Sequence, residues 1–394
     1  MHKTAMQSSA MSQQVLTDDA WQRIVEFAAD KPTPCVIIDL DTVRYKYAEL
    51  LSAFPFAGVY YAVKANPDEA IIRCLDDLGA QFDIASVFEL KKLLELGIDA
   101  SRMSYGNTIK KSADIAYAYQ QGIRMFASDC ESDIKKLAKF APGSRVYIRV
   151  LTEGSETADW PLSRKFGCQA DMAIELILLA RELGLEPYGI SFHVGSQQRD
   201  IGSWDAAIAK VRFIFDRLAK SDIRLQMINM GGGMPANYGN RHHDIQAYGN
   251  AIRRFLDEDF GDRELKVLIE PGRSLVAEAG VLVSEVIQVS RKSQESLDRW
   301  VYLDVGLFGG MIEAVGEAIQ YPMACDRESS DWDDVIIAGP TCDSMDILYE
   351  DHRYSLPVDL QEGDKLYWLS TGAYTTSYSS IEFNGFPPLK SYVI

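Results

Sequence analysis

From residue 60 to residue 273, short apolar runs alternate with longer stretches in which apolar residues recur every three or four positions among charges. The first pattern predicts buried strands and the second amphipathic helices. Eight strands are read: YYAVKAN from Tyr60, QFDIAS from Gln81, RMSYGN from Arg102, RMFASD from Arg124, RVYIRV from Arg145, ISFHVGS from Ile190, MINMGGG from Met227 and VLIEPGR from Val267. Between them lie helical segments such as DEAIIRCLDDLG, VFELKKLLELG, DMAIELILLARELG and WDAAIAKVRFIFDRLAK. Several of these stop at Gly, the residue that most readily takes the left-handed turn after a helix. Eight consecutive βα units over about 215 residues are near the usual size of a (β/α)8 barrel. A doubly wound open sheet is the alternative, because the pattern does not show closure.

The flanks read differently. Residues 1 to 14 are polar and are expected to lack regular structure. Leu16 to Ala28 forms one amphipathic pattern, with Thr17 as its cap. CVIIDL, from Cys35, reads as a strand outside the eight, before the helical DTVRYKYAELLSAF. After Arg273 the rhythm is lost: Val276–Val289, Trp300–Val305, Asp334–Ile337, Lys365–Leu369 and Tyr374–Phe383 are β-rich with no long helices between them. The expected division is therefore an N-terminal segment, 1–35, whose last strand packs with the β-domain. A TIM barrel over 36–272 and a C-terminal β-barrel domain over 273–394 follow.

Polar residues sit at the C-terminal end of strand after strand: Lys64, Asp83, Arg149, His193 with Ser196, Gly231 to Gly233, and Glu270 with Arg273. In a barrel these positions converge on the face where active sites lie. Each also has a plain reading. Lys64 closes VYYAVK, a run without charge before it, and either reaches water or is desolvated enough to act as a Schiff-base nucleophile. Three glycines let backbone N–H groups approach an anion, or simply make a turn. Arg273 suits a phosphate, or a surface ion pair. Ser196 adds a hydrogen bond or caps a helix. Glu270 can hold a pyridinium N–H. His193 is a core residue or a catalyst. Asp83 and Arg149 form either an ion pair that orients the lysine or a structural one. In GPTCDSMD, Cys342 next to Asp343 is a buried hydrophobe or a thiol able to deliver a proton. Tyr374 is a phosphate partner or a β-domain tyrosine.

Composition narrows the setting. A net charge of −17 and the lack of a basic patch argue against nucleic acid and anionic membrane as partners. The six cysteines show no metal-like spacing, so no metal is expected, and they read as reduced thiols of a cytoplasmic protein. The N-terminus has no apolar core of a signal peptide, and no apolar run approaches a membrane span.

The motifs YAVKAN, FDIAS, FHVGSQ, NMGGGMP, IEPGR, GPTCDSMD and GAYT stand in one order from about residue 60 to 378. In that order they resemble the bacterial-type ornithine and lysine decarboxylases of the fold-type III group, which use pyridoxal 5′-phosphate and are related to alanine racemase. The resemblance implies a (β/α)8 barrel with a β-domain and a homodimer with shared active sites. It implies Lys64 as the Schiff-base lysine, His193 stacked on the cofactor ring and Glu270 at the pyridine nitrogen. Ser196, Gly231, Gly232, Gly233, Arg273 and Tyr374 would hold the phosphate, with Asp83 and Arg149 in support. Cys342 would reprotonate the α-carbon and Asp343 would bind the distal ammonium of a diamino acid, both across the dimer.

Two departures are visible. Where eukaryotic relatives carry an Asp for the distal amine, EAVGEAIQYP stands here, with Glu317 the best match and Glu313 the alternative. A longer acid moves the pocket floor by a methylene, worth about 1–3 kcal/mol in discrimination. No long tail is expected after the β-domain. The expected reaction is decarboxylation of L-ornithine and/or L-lysine to putrescine or cadaverine. The rivals are diaminopimelate decarboxylase, whose matching loop usually reads Cys-Glu, an amino acid racemase, and a non-catalytic partner-binding relative. A metal hydrolase finds little support in five histidines, two of them (His242–His243) in a polar loop.

Overall fold

The computed structural model describes residues 15–152, 157–160, 165–239, 244–261, 263–327 and 329–394. The polar start and the His242–His243 pair lie outside the described residues. The chain forms two compact units. One comprises Lys46–Pro235 with His243–Gly272, and the other Met1–Tyr45, Ala236–His242 and Arg273–Ile394. The second is thus discontinuous in sequence, which a linear division at 35 and 272 does not capture.

In chain order the first strands are β1 (Cys35–Ile38), β2 (Ala57–Ala62), β3 (Gln81–Ile84), β4 (Met103–Tyr105), β5 (Met125–Ser128) and β6 (Arg145–Arg149). Then come β7 (Ala158–Trp160), β8 (Glu186–Ser191), β9 (Ser196–Gln198), β10 (Met227–Asn229) and β11 (Lys266–Ile269). Strands β2, β3, β4, β5, β6, β8, β10 and β11 close into a barrel in that order, every pair parallel. These are the eight strands read from the sequence. Closure excludes the open sheet. Tyr60, Ala127, Tyr147, Tyr188, Met227 and Leu268 pack into one buried cluster. The Tyr147 hydroxyl, buried there, pairs with Ser104 Oγ at 2.8 Å, as a polar group removed from water must.

The helices between strands begin where side chains satisfy their first N–H groups. Asp68 accepts from Ala70 N–H at 2.9 Å before the helix Glu69–Asp77. Ser86 accepts from Glu89 N–H at 3.3 Å before Val87–Glu95, and the Glu89 carboxylate accepts from Ala85 N–H at 2.6 Å, one residue before the cap, a variant of the capping box.

In the second unit the strands are β12 (Gly280–Arg291), β13 (Arg299–Leu303), β14 (Met323–Cys325), β15 (Trp332–Ala338), β16 (Ile347–Pro357), β17 (Lys365–Leu369) and β18 (Lys390–Val393). They form one mixed sheet in the order β14-β17-β12-β13-β15-β16. β1 lies antiparallel to β12 and parallel to β18. The helix Asp18–Ala28, capped by Thr17 as expected, buries Ala20, Ile24 and Ala28 among Cys35, Ile37, Val281, Val283, Tyr367 and Leu369.

Two expectations fail here. Tyr374–Phe383 holds no strand, because Tyr374 and Glu382 both take φ of 60°, which no extended chain accommodates. Arg273–Val276 is a helical turn, so β12 begins only at Gly280.

Candidate active site

In the barrel unit the strand-end residues are positioned as follows. Val59 to Val63 are buried and Lys64 follows on a single 3-10 turn, Val63–Ala65, with its side chain exposed. The lysine is not sealed in the strand. It stands just beyond the strand end. Its positive charge nevertheless acts on Asp83, Glu89, His193 and Glu270.

Asp83 is buried, and burial together with the Glu270 charge drives its carboxyl well above the usual range, against the pull of Lys64 and Arg149. Its Oδ1 has no hydrogen-bond partner among the described residues. A Cβ at Gly106 would overlap this carboxylate as it stands, so any larger residue would displace Asp83. Glu270 is raised by burial, which the Asn229 amide, donating at 2.5 Å, and the charges of Lys64 and Arg149 oppose. Arg149, at the end of β6, is lowered by burial against the pull of Glu270, Asp129 and Asp83.

His193 is held well below its ordinary value by burial and by the charges of Arg149 and Lys64. It is therefore neutral near pH 7. Its Nδ1 accepts from Gly195 N–H at 3.0 Å. That acceptor role places the ring proton on Nε2.

Gly231 to Gly233 run along neighbouring backbone. A Cβ on Gly231 would lie 2.5 Å from the Phe192 carbonyl, on Gly232 2.7 Å from that of Glu270, and on Gly233 2.6 Å from that of Gly195. Gly231 and Gly233 also carry φ of 62° and 105°. The glycine run is thus required by shape and by dihedral. Ser196 opens β9.

In the second unit, Arg273 and Tyr374 meet. The guanidinium lies 4.9 Å from the centre of the Tyr374 ring and donates to Tyr238 Oη at 2.9 Å and to both oxygens of Glu313. Glu317, expected on the pocket floor, accepts instead from the N–H groups of Glu350, Asp351 and His352 at 2.6–2.7 Å. Its charge is spent on three backbone donors. Cys342 and Asp343 are exposed on the turn between β15 and β16.

Sequence reading overlooked Glu89, a carboxylate raised by burial and pulled down by the Ala85 N–H bond and the Lys64 charge. The spacing Ser86-x-x-Glu89 carries the capping-box signal that would have found it. It also overlooked Asn229, a polar residue in an apolar strand.

Residues 40–277, more than half of the chain, match the pyridoxal-dependent decarboxylases over their pyridoxal binding domain. The chain belongs to that family. This decarboxylase is 34% identical over 356 residues to the lysine/ornithine decarboxylase of Selenomonas ruminantium, covering 90% of this chain and 88% of that one. The Selenomonas lysine decarboxylase solved with PLP and cadaverine superposes with a TM-score of 0.86 at 32% identity, covering 96% and 94% of the two chains. The lysine/ornithine decarboxylase of Vibrio vulnificus solved with cadaverine gives 0.86 at 27% identity, covering 96% and 100%.

The cofactor of this decarboxylase is pyridoxal 5′-phosphate, and the barrel end fits it. A glycine run that no side chain can fill offers backbone to a phosphate. A neutral imidazole and a carboxylate steered by Asn229 offer a ring a flat face and an acceptor. Asp83 adds a buried oxygen still lacking a donor among the described residues.

Proposed function

We propose that this decarboxylase acts on L-ornithine and/or L-lysine, releasing CO2 and putrescine or cadaverine. The observation that carries the reading is the group of Lys64, Asp83, Glu89, Arg149, His193 and Glu270, coupled through charge at the strand ends of one barrel. The substrate class is supported by the relatives, named for lysine and ornithine and solved with cadaverine.

When bound, pyridoxal phosphate supplies the electron sink for the bond to the leaving carboxylate. Lys64 Nζ would hold it covalently. Glu270, fixed by Asn229, would accept from the ring nitrogen's N–H, its own raised affinity for a proton being offset by the nearby cations. His193, uncharged, would lie against the ring without competing for that proton. Gly231, Gly232, Gly233 and Ser196 would hold the phosphate through backbone N–H groups and a hydroxyl; for Arg273 and Tyr374 a phosphate role rests on the family motifs that contain them. Asp83 and Arg149 orient Lys64 and the ring.

Cys342 Sγ–H delivers a proton to the substrate α-carbon, and Asp343 accepts from the distal ammonium. Both belong to the partner subunit of a homodimer in this reading, which their exposure on the single chain supports. Glu317 is left out of the substrate roles because three N–H groups occupy its carboxylate. A cytoplasmic location is supported by six cysteines that form no disulfide. Among the described residues no helix is long and apolar enough to cross a membrane.

The test is CO2 release from ornithine, lysine and diaminopimelate in parallel, with the visible-edge absorbance of the purified protein. Turnover of either diamino monoacid, lost in Lys64→Ala, is expected. Turnover of diaminopimelate alone would replace this reading with its rival, and full activity in Lys64→Ala would remove the lysine's role.

A further inference from the structure

We propose that Asn384 is the positioning residue for the Cys342 thiol. The inference rests on the reading of Cys342 as proton donor. In that step the S–H bond breaks, its electron pair stays on sulfur, and the α-carbon's electron pair takes the proton into a new C–H bond. The thiolate then regains a proton from water. A thiol two bonds from its own Cα can do this only if the Cys342 backbone is fixed.

The loop that carries it is anchored at two points. The first is Asp346, buried behind the loop, whose carboxylate accepts from Leu307 N–H at 2.8 Å, Thr341 N–H at 3.1 Å and Thr341 Oγ1–H at 2.7 Å. Its carbonyl accepts from Gly339 N–H at 2.8 Å. A Cβ at Gly306 or Gly339 would overlap this carboxylate, so the chain is moulded around it. Asp346 fixes the stem of the loop up to Thr341.

The second anchor holds Cys342 itself. Its N–H donates to Asn384 Oδ1 at 2.9 Å. Asn384 lies in the turn Phe383–Gly385 with φ 51° and ψ 21°, a left-handed conformation that Asn tolerates better than other side-chain-bearing residues. The turn is pinned by the Phe383 ring, 4.5 Å from that of Phe308, and by Gly385 N–H donating to the Glu382 carbonyl at 2.9 Å. Packing does not do the same work. Pro340, Thr341, Phe308, Phe383 and Phe386 line a cavity of about 170 Å3 next to the loop. Cys342 is exposed. Between Thr341, fixed on Asp346, and Asp343, whose carbonyl accepts from Asp346 N–H, the Cys342 backbone itself is held by one hydrogen bond, donated to a conformationally special asparagine.

Glycine at 384 keeps the left-handed turn without strain and removes only the acceptor. Aspartate keeps an acceptor oxygen. In the holoenzyme, Asn384→Gly is expected to lower kcat by about 10- to 100-fold, the scale of a misplaced reacting group, with little change in KM. Cofactor absorbance and thermal midpoint should stay as in the wild type. Asn384→Asp, which keeps the acceptor, should recover most of the rate with KM unchanged. Adding Asn384→Gly to Cys342→Ala should cost nothing more. Wild-type kcat in Asn384→Gly, failure of Asn384→Asp to recover, or an equal further loss in the Cys342→Ala background would overturn the inference. Wild-type turnover in Cys342→Ala would instead remove the proton-donor reading, and this inference with it.

Discussion

Glu313 grips Arg273 through both carboxylate oxygens, at 2.6 and 2.7 Å, and neither side chain is more than 3% exposed. A fork-to-fork pair of this kind fixes the guanidinium plane as well as its charge. Removing one member leaves the other charged and dry. Glu313→Ala should therefore lower the unfolding free energy by about 3–5 kcal/mol, the range for breaking a buried pair. Glu313→Gln, which keeps the shape and one acceptor, should cost less. Urea titration of the two variants distinguishes them, and equal midpoints would show that the pair holds nothing in place.

Glu317 gives the opposite expectation for the neighbouring acid. Burial pushes its carboxyl up, but the N–H groups of Glu350, Asp351 and His352 outweigh this and leave it below the ordinary value. A lowered folded value means stability that is present at neutral pH and is lost as pH falls through that value. Glu317→Ala should cost about 1–2 kcal/mol above pH 5, since the group is only partly buried, and progressively less toward pH 3. KM for ornithine and lysine should not move. A changed preference between them would return Glu317 to the substrate pocket.

Gly106 is predicted to be intolerant of the smallest change. A methyl group there would overlap the Asp83 carboxylate, which is buried and would have to shift. Gly106→Ala should destabilise by about 1–3 kcal/mol, as overpacking does. In an Asp83→Ala background the same substitution should cost much less, and a thermodynamic cycle on the four proteins measures the difference.

His193 should mark the acid side of the stability curve. Its folded value is lowered, by burial first and then by Arg149 and Lys64, so below its ordinary value of 6.5 the unfolded chain binds the extra proton and the folded one does not. Stability from this residue is thus complete above that value and falls by up to about 1.4 kcal/mol per pH unit below it. His193→Gln removes this component. The difference between the two proteins should narrow or reverse as urea titrations descend from pH 7.5 to 5.5, and a constant difference would contradict the neutral imidazole.

All eight barrel strands were legible because each is a short apolar run between amphipathic helices, and local burial decides both. The helix cap Thr17 was equally local, and so was the strain-prone glycine run. What escaped was set by partners distant in sequence. Strand β16, ILYEDHRYSLP, has no clean alternation and becomes a strand because β15 pairs with it. Tyr374–Phe383 has the aromatic and Thr content of a strand, yet two left-handed residues bend it out of any sheet. Glu313 and Glu317 stand four apart with similar neighbours. Nothing in that spacing says that one meets Arg273 and the other three backbone donors.

Strand β1 lies between β12 and β18, with Cys35 opposite both Val283 and Lys390. On the ribosome β1 emerges first, and neither flanking strand exists until the whole barrel has been synthesised. Most of the barrel can assemble as it is made, because successive βα units pair within a few dozen residues and only the closing β11–β2 pair is distant. The sheet cannot. Until β12 is made the nascent chain carries CVII with two unpaired edges, and until translation passes residue 390 one edge stays open, the kind of segment that other chains capture. Synthesis order thus makes the sheet the last part to form and the stage most in need of a chaperone.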